Sequence, residues 1–586
     1  QELGEDESYR LDITSSGARL TSPNTLGVMR GLQTLLQLVQ TTSAGFAVPA
    51  VSIEDSPRFP WRGLMIDVGR HFIPLDVVKR NIDGMAAVKL NVFHWHLSEN
   101  QGFRIESKKF PKLQGMGSDG LYYTQDEVRG VISYARERGI RVVPEFDMPG
   151  HATAWFVGYP ELASGPGPYQ IERRWGVFDP AMDPTKEATY KFLDTFIGEM
   201  AALFPDQFFH IGGDEVNGKE WDANPKIHAF MQAHGLKDNN DLQAYFNQRV
   251  QKIVAKHGKT MLGWDEILRP DLPKDIVIQS WRGPDSLAQA AKQGYRGLLS
   301  SGFYVDLMWS AERHYSADPL SGTAANLTPE EQKRVLGGEA CMWAEYVSPE
   351  NIDSRIWPRT AAIAERLWSP QQVRDLNSMY QRLAVASNWM DGLGLTHNSS
   401  YAPMLRRIAG TNDIGALKVL ADVVEPVKDY TREETAPAPA TSASPLNRVV
   451  DAVRPESATA RHFADAVNEL LGGAAKPGAE ARVRNLLSRW RDNQVDLQPQ
   501  FEKSLLLKEV APISQNLSAL GAAGLTALDY LDRGEPAPPA WVATQLTLVE
   551  QASKPQAQLL ITVVPSVEKL VRASAGQAAP ASSSAK

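Results

Sequence analysis

Two carboxylates stand side by side in the stretch FFHIGGDEVNG, where Asp214 and Glu215 directly follow a short apolar run and two glycines. Cleaving a glycosidic bond takes one group that protonates a leaving oxygen and one that steadies developing positive charge. Paired carboxyls at a strand end suit both tasks. Adjacent side chains on a strand point to opposite faces. Both acids can therefore reach one cavity only if Gly212 and Gly213 let the backbone turn sharply. The blander alternative is that Asp214 caps the next helix and Glu215 is a solvated neighbour.

Aromatic residues shift the balance. Sugars offer C–H faces that stack on rings and hydroxyls that pair with Asp, Glu or Arg. Trp264, Trp281 and Trp343, with Tyr304, Asp306 and Glu345 close by, supply both kinds of contact. A lone tryptophan is more often core, but three at strand ends around one mouth speak for recognition. His94 and His96 in FHWHL share one face of a strand, as metal ligands would. No third ligand at zinc-site spacing accompanies them, so neither metal nor other cofactor is expected. Asp147 and His151 in EFDMPGH form a loop pair in which an acid can orient an imidazole. No serine or cysteine stands where a nucleophile would, so the pair is expected to support a neighbouring acid.

The elements that must position these residues follow a rhythm. Strand-like runs occur at 62–68, 90–97, 140–147, 208–215, 260–267, 276–281, 296–302 and 335–343. Amphipathic stretches lie between several of them, as where Val77, Ile82, Met85 and Val88 share one face. Eight strands alternating with helices predict a (β/α)8 TIM barrel. A doubly wound open sheet is the alternative, but no Gly-rich phosphate loop follows the first strand. Arg70, His71, His96, Asp147, Asp214, Glu215, Trp264, Asp265, Trp281, Tyr304, Trp343 and Glu345 all fall at or near strand ends. In a barrel those ends share one mouth, where catalysis resides.

Flanking regions complete the expected organisation. Residues 1–55 read as part of a small α/β domain without its earlier strands, residues 56–400 as the barrel, and 401–448 as a helical segment with a Pro/Ala-rich linker. Residues 449–572 carry apolar helical faces around Phe463, Val483, Trp490 and Leu517, and 573–586 reads as a disordered tail. Twelve of the 14 tryptophans precede residue 400, which assigns aromatic recognition to the barrel.

Bulk properties bound the function classes. The 586 residues are 43% apolar and 22% charged, with a net charge of -8 and a pI near 5.9. This argues against a nucleic-acid or anionic-membrane partner, and no apolar run has the ~18 residues a membrane helix needs. Cys341 is the sole cysteine, so no intrachain disulfide or thiolate cluster forms. Gln1 opens the chain without a targeting segment; a secreted or periplasmic location with a removed signal is expected, the cytoplasm being the alternative. Oligomeric state is not legible.

WRGLMIDVGRHF, NVFHWHLSENQGFR, VVPEFDMPGH, HIGGDE, GWDEI, YVD and GGEACMWAE occur in the order found in β-N-acetylhexosaminidases. Over roughly residues 8–400 the chain resembles glycoside hydrolase family 20. The resemblance implies a barrel behind a small α/β domain and retaining, exo-acting cleavage of terminal β-linked GlcNAc or GalNAc. The substrate's own 2-acetamido group would be the nucleophile, forming an oxazolinium ion. It further implies that Asp214 orients the acetamide and that Glu215 is the general acid and then base, with a raised pKa. Arg70 and Glu345 would grip sugar hydroxyls, and Trp264, Trp281 and Trp343 would wall the pocket. Tyr304 would bond the acetamide oxygen and Asp306 the sugar. His151, with His96, Glu99 and Asp147, would support Glu215. Glu99, Asn100 and Phe103 replace the Asp, Asp and Trp of many relatives, which is expected to alter the geometry of that support. A disaccharide-releasing relative, a catalytically silent sugar-binding barrel and a metal-dependent hydrolase using His94 and His96 are the competing readings.

Overall fold

The computed structural model describes residues 2–270, 272–434, 440–472 and 478–576. Two compact units emerge: 1–306 with 311–395 and 440–444, and 307–310 with 396–439 and 445–586.

The first unit contains the expected closed barrel of eight parallel strands. They are β1 (Trp61–Asp67), β2 (Val92–His96), β3 (Arg141–Glu145), β4 (Phe208–His210), β5 (Thr260–Trp264), β6 (Val277–Ser280), β7 (Arg296–Leu299) and β8 (Val335–Met342). Closure runs through β8 and β1, with Gly337 opposite Trp61 and Met342 opposite Ile66. Each strand contributes one apolar side chain to a plug: Trp61, Val92, Val143, Phe208, Leu262, Val277, Leu298 and Leu336. Period-two alternation puts the next inward layer two residues further along a strand, where His94, Glu145, His210 and Gln279 lie, and Glu339 joins them three residues beyond Leu336 across the register irregularity between β7 and β8. All five are fully buried. Gly63 leaves room for Glu339, whose Oε2 would lie 2.3 Å from an added Cβ.

Helices such as Leu75–Ala87, Gln125–Arg136, Glu187–Leu203 and Asn239–Lys256 wrap the strands. Val77, Ile82 and Met85 of the first face inward, as their spacing predicts, and Val88 ends it half-buried. The fourth strand is shorter than expected. Pairing with β5 stops at His210 because Gly212 and Gly213 adopt φ of +67° and +93°, outside the range of a strand.

Ahead of the barrel, Tyr9–Thr14 pairs antiparallel with Gly17–Thr21 and with Val51–Asp55. The helix Thr25–Gln37 starts at Asn24, whose side chain accepts the Gly27 N–H. This small sheet is fastened to the barrel by Glu7. Its carboxylate accepts from Arg30 Nε at 2.6 Å, Arg62 Nη2 at 2.7 Å and Asn91 Nδ2 at 3.1 Å, all buried.

In the second unit, helices Ala458–Leu471, Ala479–Lys503, Ala511–Arg533, Pro539–Ala552 and Val564–Ser574 enclose Phe463, Leu487, Trp490, Leu517 and Leu570. Gly521 permits a close crossing, since a Cβ there would lie 2.6 Å from Leu487 O and Arg491 N. The Pro/Ala-rich stretch departs from a simple linker. Thr441 bridges Arg174 and Ser442 N donates to Arg173 O at 2.7 Å, so residues 440–444 belong to the barrel unit. The segment 435–439 lies outside the described residues. The tail assigned to 573–586 begins inside a helix ending at Ser574, and 577–586 lies outside the described residues. Among the described residues no helix is long and apolar enough to cross a membrane.

Glu7 generates a stability prediction. Burial pushes its carboxyl up, but Arg62 and Arg30 outweigh that and hold it below the ordinary value. A depressed carboxylate stabilises the fold above its unfolded pKa and loses that contribution as pH falls through the folded pKa. Glu7→Gln should therefore cost about 3–5 kcal/mol at pH 7, read from denaturant unfolding of the full chain. The gap from wild type should narrow below about pH 4; a constant gap across pH would refute the charge role.

Candidate active site

The left-handed turn after β4 answers how two adjacent acids share one cavity. Gly212 must be glycine, because a Cβ would lie 2.0 Å from Asp147 Oδ1, and Glu215 itself takes φ +50°. Strand alternation is lost, and both carboxyls reach one imidazole. His151 Nε2 is 3.3 Å from Glu215 Oε2 and 3.8 Å from Asp214 Oδ2. The two acids differ in exposure: the Asp214 side chain is 12% exposed and that of Glu215 38%.

Behind His151 stands Glu99. Its Oε1 lies 2.8 Å from His151 Nδ1, and its Oε2 is 3.2 Å from Arg70 Nη2 and 3.5 Å from His96 Nε2. The longer arm of Glu99 thus spans from the histidine to the arginine. Asn100 Nδ2 donates to Glu99 at 2.9 Å, while its Oδ1 accepts from Thr153 N and Oγ1. Phe103 is fully buried against Trp155 and Phe146, away from the acids.

Arg70 collects three carboxylates: Asp67 at 3.0 Å, Glu99 at 3.2 Å and Glu345 at 3.3 Å. Its guanidinium also sits 4.9 Å from the Trp343 ring centroid. Asp67, which the sequence did not single out, fixes this corner by accepting from Gly69 N, Arg70 N and Ala344 N. The aromatic wall is continuous. Trp264 and Trp343 have centroids 5.6 Å apart, Tyr304 meets Trp343 edge-on at 6.3 Å, and His96 meets Trp343 at 5.0 Å. Trp281 donates its indole N–H to Glu266. Asp306 is a buried carboxyl raised well above its usual range, by burial first and Glu345 second.

Below this floor lies a charged layer. Glu145 accepts the Trp264 indole N–H at 2.9 Å and lies 2.6 Å from His96 Nδ1, 3.0 Å from His94 Nε2 and 3.1 Å from His210 Nδ1. Glu339 takes up His94 Nδ1 at 2.7 Å, Gln279 at 2.9 Å and Trp61 at 3.0 Å. His94 therefore has company the sequence did not reveal, since His94, Glu145 and His210 converge closely enough to resemble a metal set. Within the trio both histidines lie beside Glu145, and His94 Nδ1 pairs with Glu339. Burial pulls His94 down, but Glu339 and Glu145 outweigh it and bring it to about 9, so imidazolium balances carboxylate. The signal available earlier was a glutamate inside each of two apolar strands, VVPEFD and GGEAC.

Asp147 lies with Glu99 and His151, their side-chain N and O atoms within 4.8 Å of one another. It accepts from Gly213 N at 3.2 Å and is raised well above its usual range, by burial first and the Asp214 charge second. One expectation needs correction. Glu215 is held below the usual glutamate value, not above it, because His151 hydrogen-bonds it and this outweighs burial. Burial instead pushes Asp214 up to about 6, against the opposing pull of His151. His151 is raised well above an ordinary imidazole because Glu99 and Glu215 outweigh its burial. His151 thus stands between Glu99 on its Nδ1 side and Glu215 and Asp214 on its Nε2 side.

The arrangement offers a desolvated carboxyl, a more exposed one beside it, an arginine held by acids and an aromatic wall, the means to hold a polar ring and transfer a proton at its edge. Residues 59–371 match the family described as glycosyl hydrolase family 20, catalytic domain, and residues 2–56 match its domain 2. The chain is 39% identical to mouse (Mus musculus) β-hexosaminidase subunit beta over 412 residues, 68% of this chain and 76% of that protein. It is 36% identical to a Porphyromonas gingivalis β-hexosaminidase over 475 residues, covering 74% and 60% respectively. Among solved structures, a Flavobacterium johnsoniae chitobiase superposes with a TM-score of 0.92 at 44% identity, over 97% of this chain and 87% of the other. A Vibrio harveyi exo-β-N-acetylglucosaminidase in complex with N-acetylglucosamine gives 0.61 at 33% identity, over 67% of each. The chain belongs to glycoside hydrolase family 20 and is a glycoside hydrolase.

Proposed function

We propose that the chain is an exo-acting, retaining β-N-acetylhexosaminidase that removes terminal non-reducing β-GlcNAc or β-GalNAc by substrate-assisted catalysis. The observation that carries this reading is the placement of the two acids. Asp214 and Glu215 reach the same side of His151 from consecutive positions. An ordinary retaining pair instead stands about 5–5.5 Å apart across the bond, with one member as nucleophile. An acetamide carbonyl attacking the anomeric carbon removes the need for that protein nucleophile.

Each residue then has a task. Asp214 accepts the acetamide N–H and balances the charge that grows as the oxazolinium ring closes. Tyr304 aims the carbonyl oxygen, and Trp264, Trp281 and Trp343 exclude water around the methyl. Arg70, pre-set by Asp67, Glu99 and Glu345, binds hydroxyls at the closed end with Asp306. Glu215 delivers a proton to the leaving oxygen and later takes one from water. It meets the leaving group as an acid once a bound sugar displaces water from its exposed side and removes part of the His151 contact, since both changes raise a carboxyl pKa. His151, braced by Glu99, receives the returning negative charge. An internal nucleophile supplies effective molarities of ~10⁵ M or more, so binding and ring closure carry much of the acceleration.

An aryl β-GlcNAc should be hydrolysed at least about 10³-fold faster than the matching aryl β-glucoside, which lacks the internal nucleophile; equal rates would eliminate the mechanism. Glu215→Gln should lower kcat about 10²–10⁴-fold, least for aglycones that leave without protonation. Asp214→Asn should impair all substrates alike, and a near-normal rate in either variant would reject the role assigned.

Asp214 at about 6 also predicts pH behaviour. Its ionised form is the working one, so kcat/KM of the free enzyme should fall as pH drops through about 6. Removing the opposing cation by His151→Asn should move that limb to higher pH. An unmoved limb would show that another group controls it.

A further inference from the structure

Adjacent residues after β5 hold adjacent residues after β6. Asp265, fully buried, accepts from Arg282 Nε at 2.6 Å and from Ser286 Oγ at 2.5 Å. The next residue, Glu266, presents both carboxyl oxygens to the Trp281 indole N–H, at 3.2 and 3.1 Å. The first contacts hold the segment just beyond β6 through Arg282 and Ser286, with Arg282 N a further 3.4 Å donor to Asp265, and the second holds the side chain of Trp281. Trp281 is only half-buried, so packing leaves its ring freedom that the hydrogen bond removes.

We propose that Glu266 is a positioning residue that locks the Trp281 indole upright as a wall of the acetamide pocket. This rests on the pocket assignment made for Trp281 above. The contact does more than a generic acceptor would, because Glu266 sits within the field of the reacting acids. Burial first and the Asp214 charge second push its carboxyl up to about 8, with Asp265 adding to the rise and Trp281 and Arg282 opposing it. Around neutral pH Glu266 is therefore a neutral acid, which orients the indole without placing another full negative charge beside Asp214. A carboxylic acid keeps a carbonyl lone pair for the indole N–H, so the lock survives protonation. Glutamine reproduces both its shape and its acceptor, whereas leucine keeps the volume and removes the acceptor.

The test uses the full chain with Glu266→Gln and Glu266→Leu. Leucine should raise KM for an aryl β-GlcNAc and weaken a thiazoline mimic of the oxazolinium ion about tenfold or more, with a smaller change in kcat. Glutamine should restore both to within about threefold of wild type. In ligand-free enzyme labelled with ¹⁵N-tryptophan, the Trp281 indole resonance, assigned by its loss in Trp281→Phe, should move with a midpoint near pH 8 and stay still in Glu266→Gln. Leucine leaving KM and thiazoline affinity within twofold, glutamine as impaired as leucine, or a Trp281 resonance that titrates equally in Glu266→Gln would each overturn the proposal. The resonance test needs no turnover and decides the matter should Glu266→Leu fail to fold. A wild type inert toward aryl β-GlcNAc would instead strike the functional reading.

Discussion

The active site depends on charge placed inside the barrel, where aliphatic layers would be cheaper to bury. A carboxylate in a low-dielectric interior persists only if donors and cations surround it, and Glu145 and Glu339 have both. Two of their partners are the indoles of Trp264 and Trp61, and two are the rings of His94 and His96. The compensation therefore does structural work in the site above. Trp264 is tethered from below and His96 is aimed at Glu99, while the apolar plug seals the opposite end.

From that layer upward, one chain of polar contacts reaches the mouth. Glu99 joins Arg70 to His151, and His151 joins Glu99 to the two acids. The corner built on Arg70 and the pair Asp214 and Glu215 thus share one carboxylate. Its partners hold the Glu99 carboxyl well below the usual range despite full burial, with Arg70 first and His151 second in opposing the desolvation. Asn100 adds two donors to Glu99 Oε1, its backbone N–H at 2.8 Å and its Nδ2 at 2.9 Å, and Thr153 in turn holds Asn100.

Much of this was legible in the residues. Period-two and 3.6-residue patterns located all eight strands, and polar or aromatic residues near their ends located the mouth. The protein's floor was harder to read. Glu145, Glu339 and His210 lie within apolar strands whose inward and outward faces depend on register, and Asp67 and Glu266 look like ordinary neighbours of better-known residues. The turn at Gly212 also brings Asp147 against the backbone of Gly213, a contact that its place four residues before His151 does not reveal. The stretch 440–444 reads as linker by composition, while its backbone groups find partners on the loop at 173–174.

The sequence alone determined the element types, the barrel and the identity of the acid pair, because local periodicity and residue chemistry are written in consecutive positions. Tertiary structure alone decided which charges neighbour one another, and through them which carboxyls are raised and which lowered. A carboxyl's proton affinity is set by burial and by charges a few ångströms away. Those neighbours come from other strands: His151 for Glu215, Asp147 for Asp214, and Asp214 for Glu266.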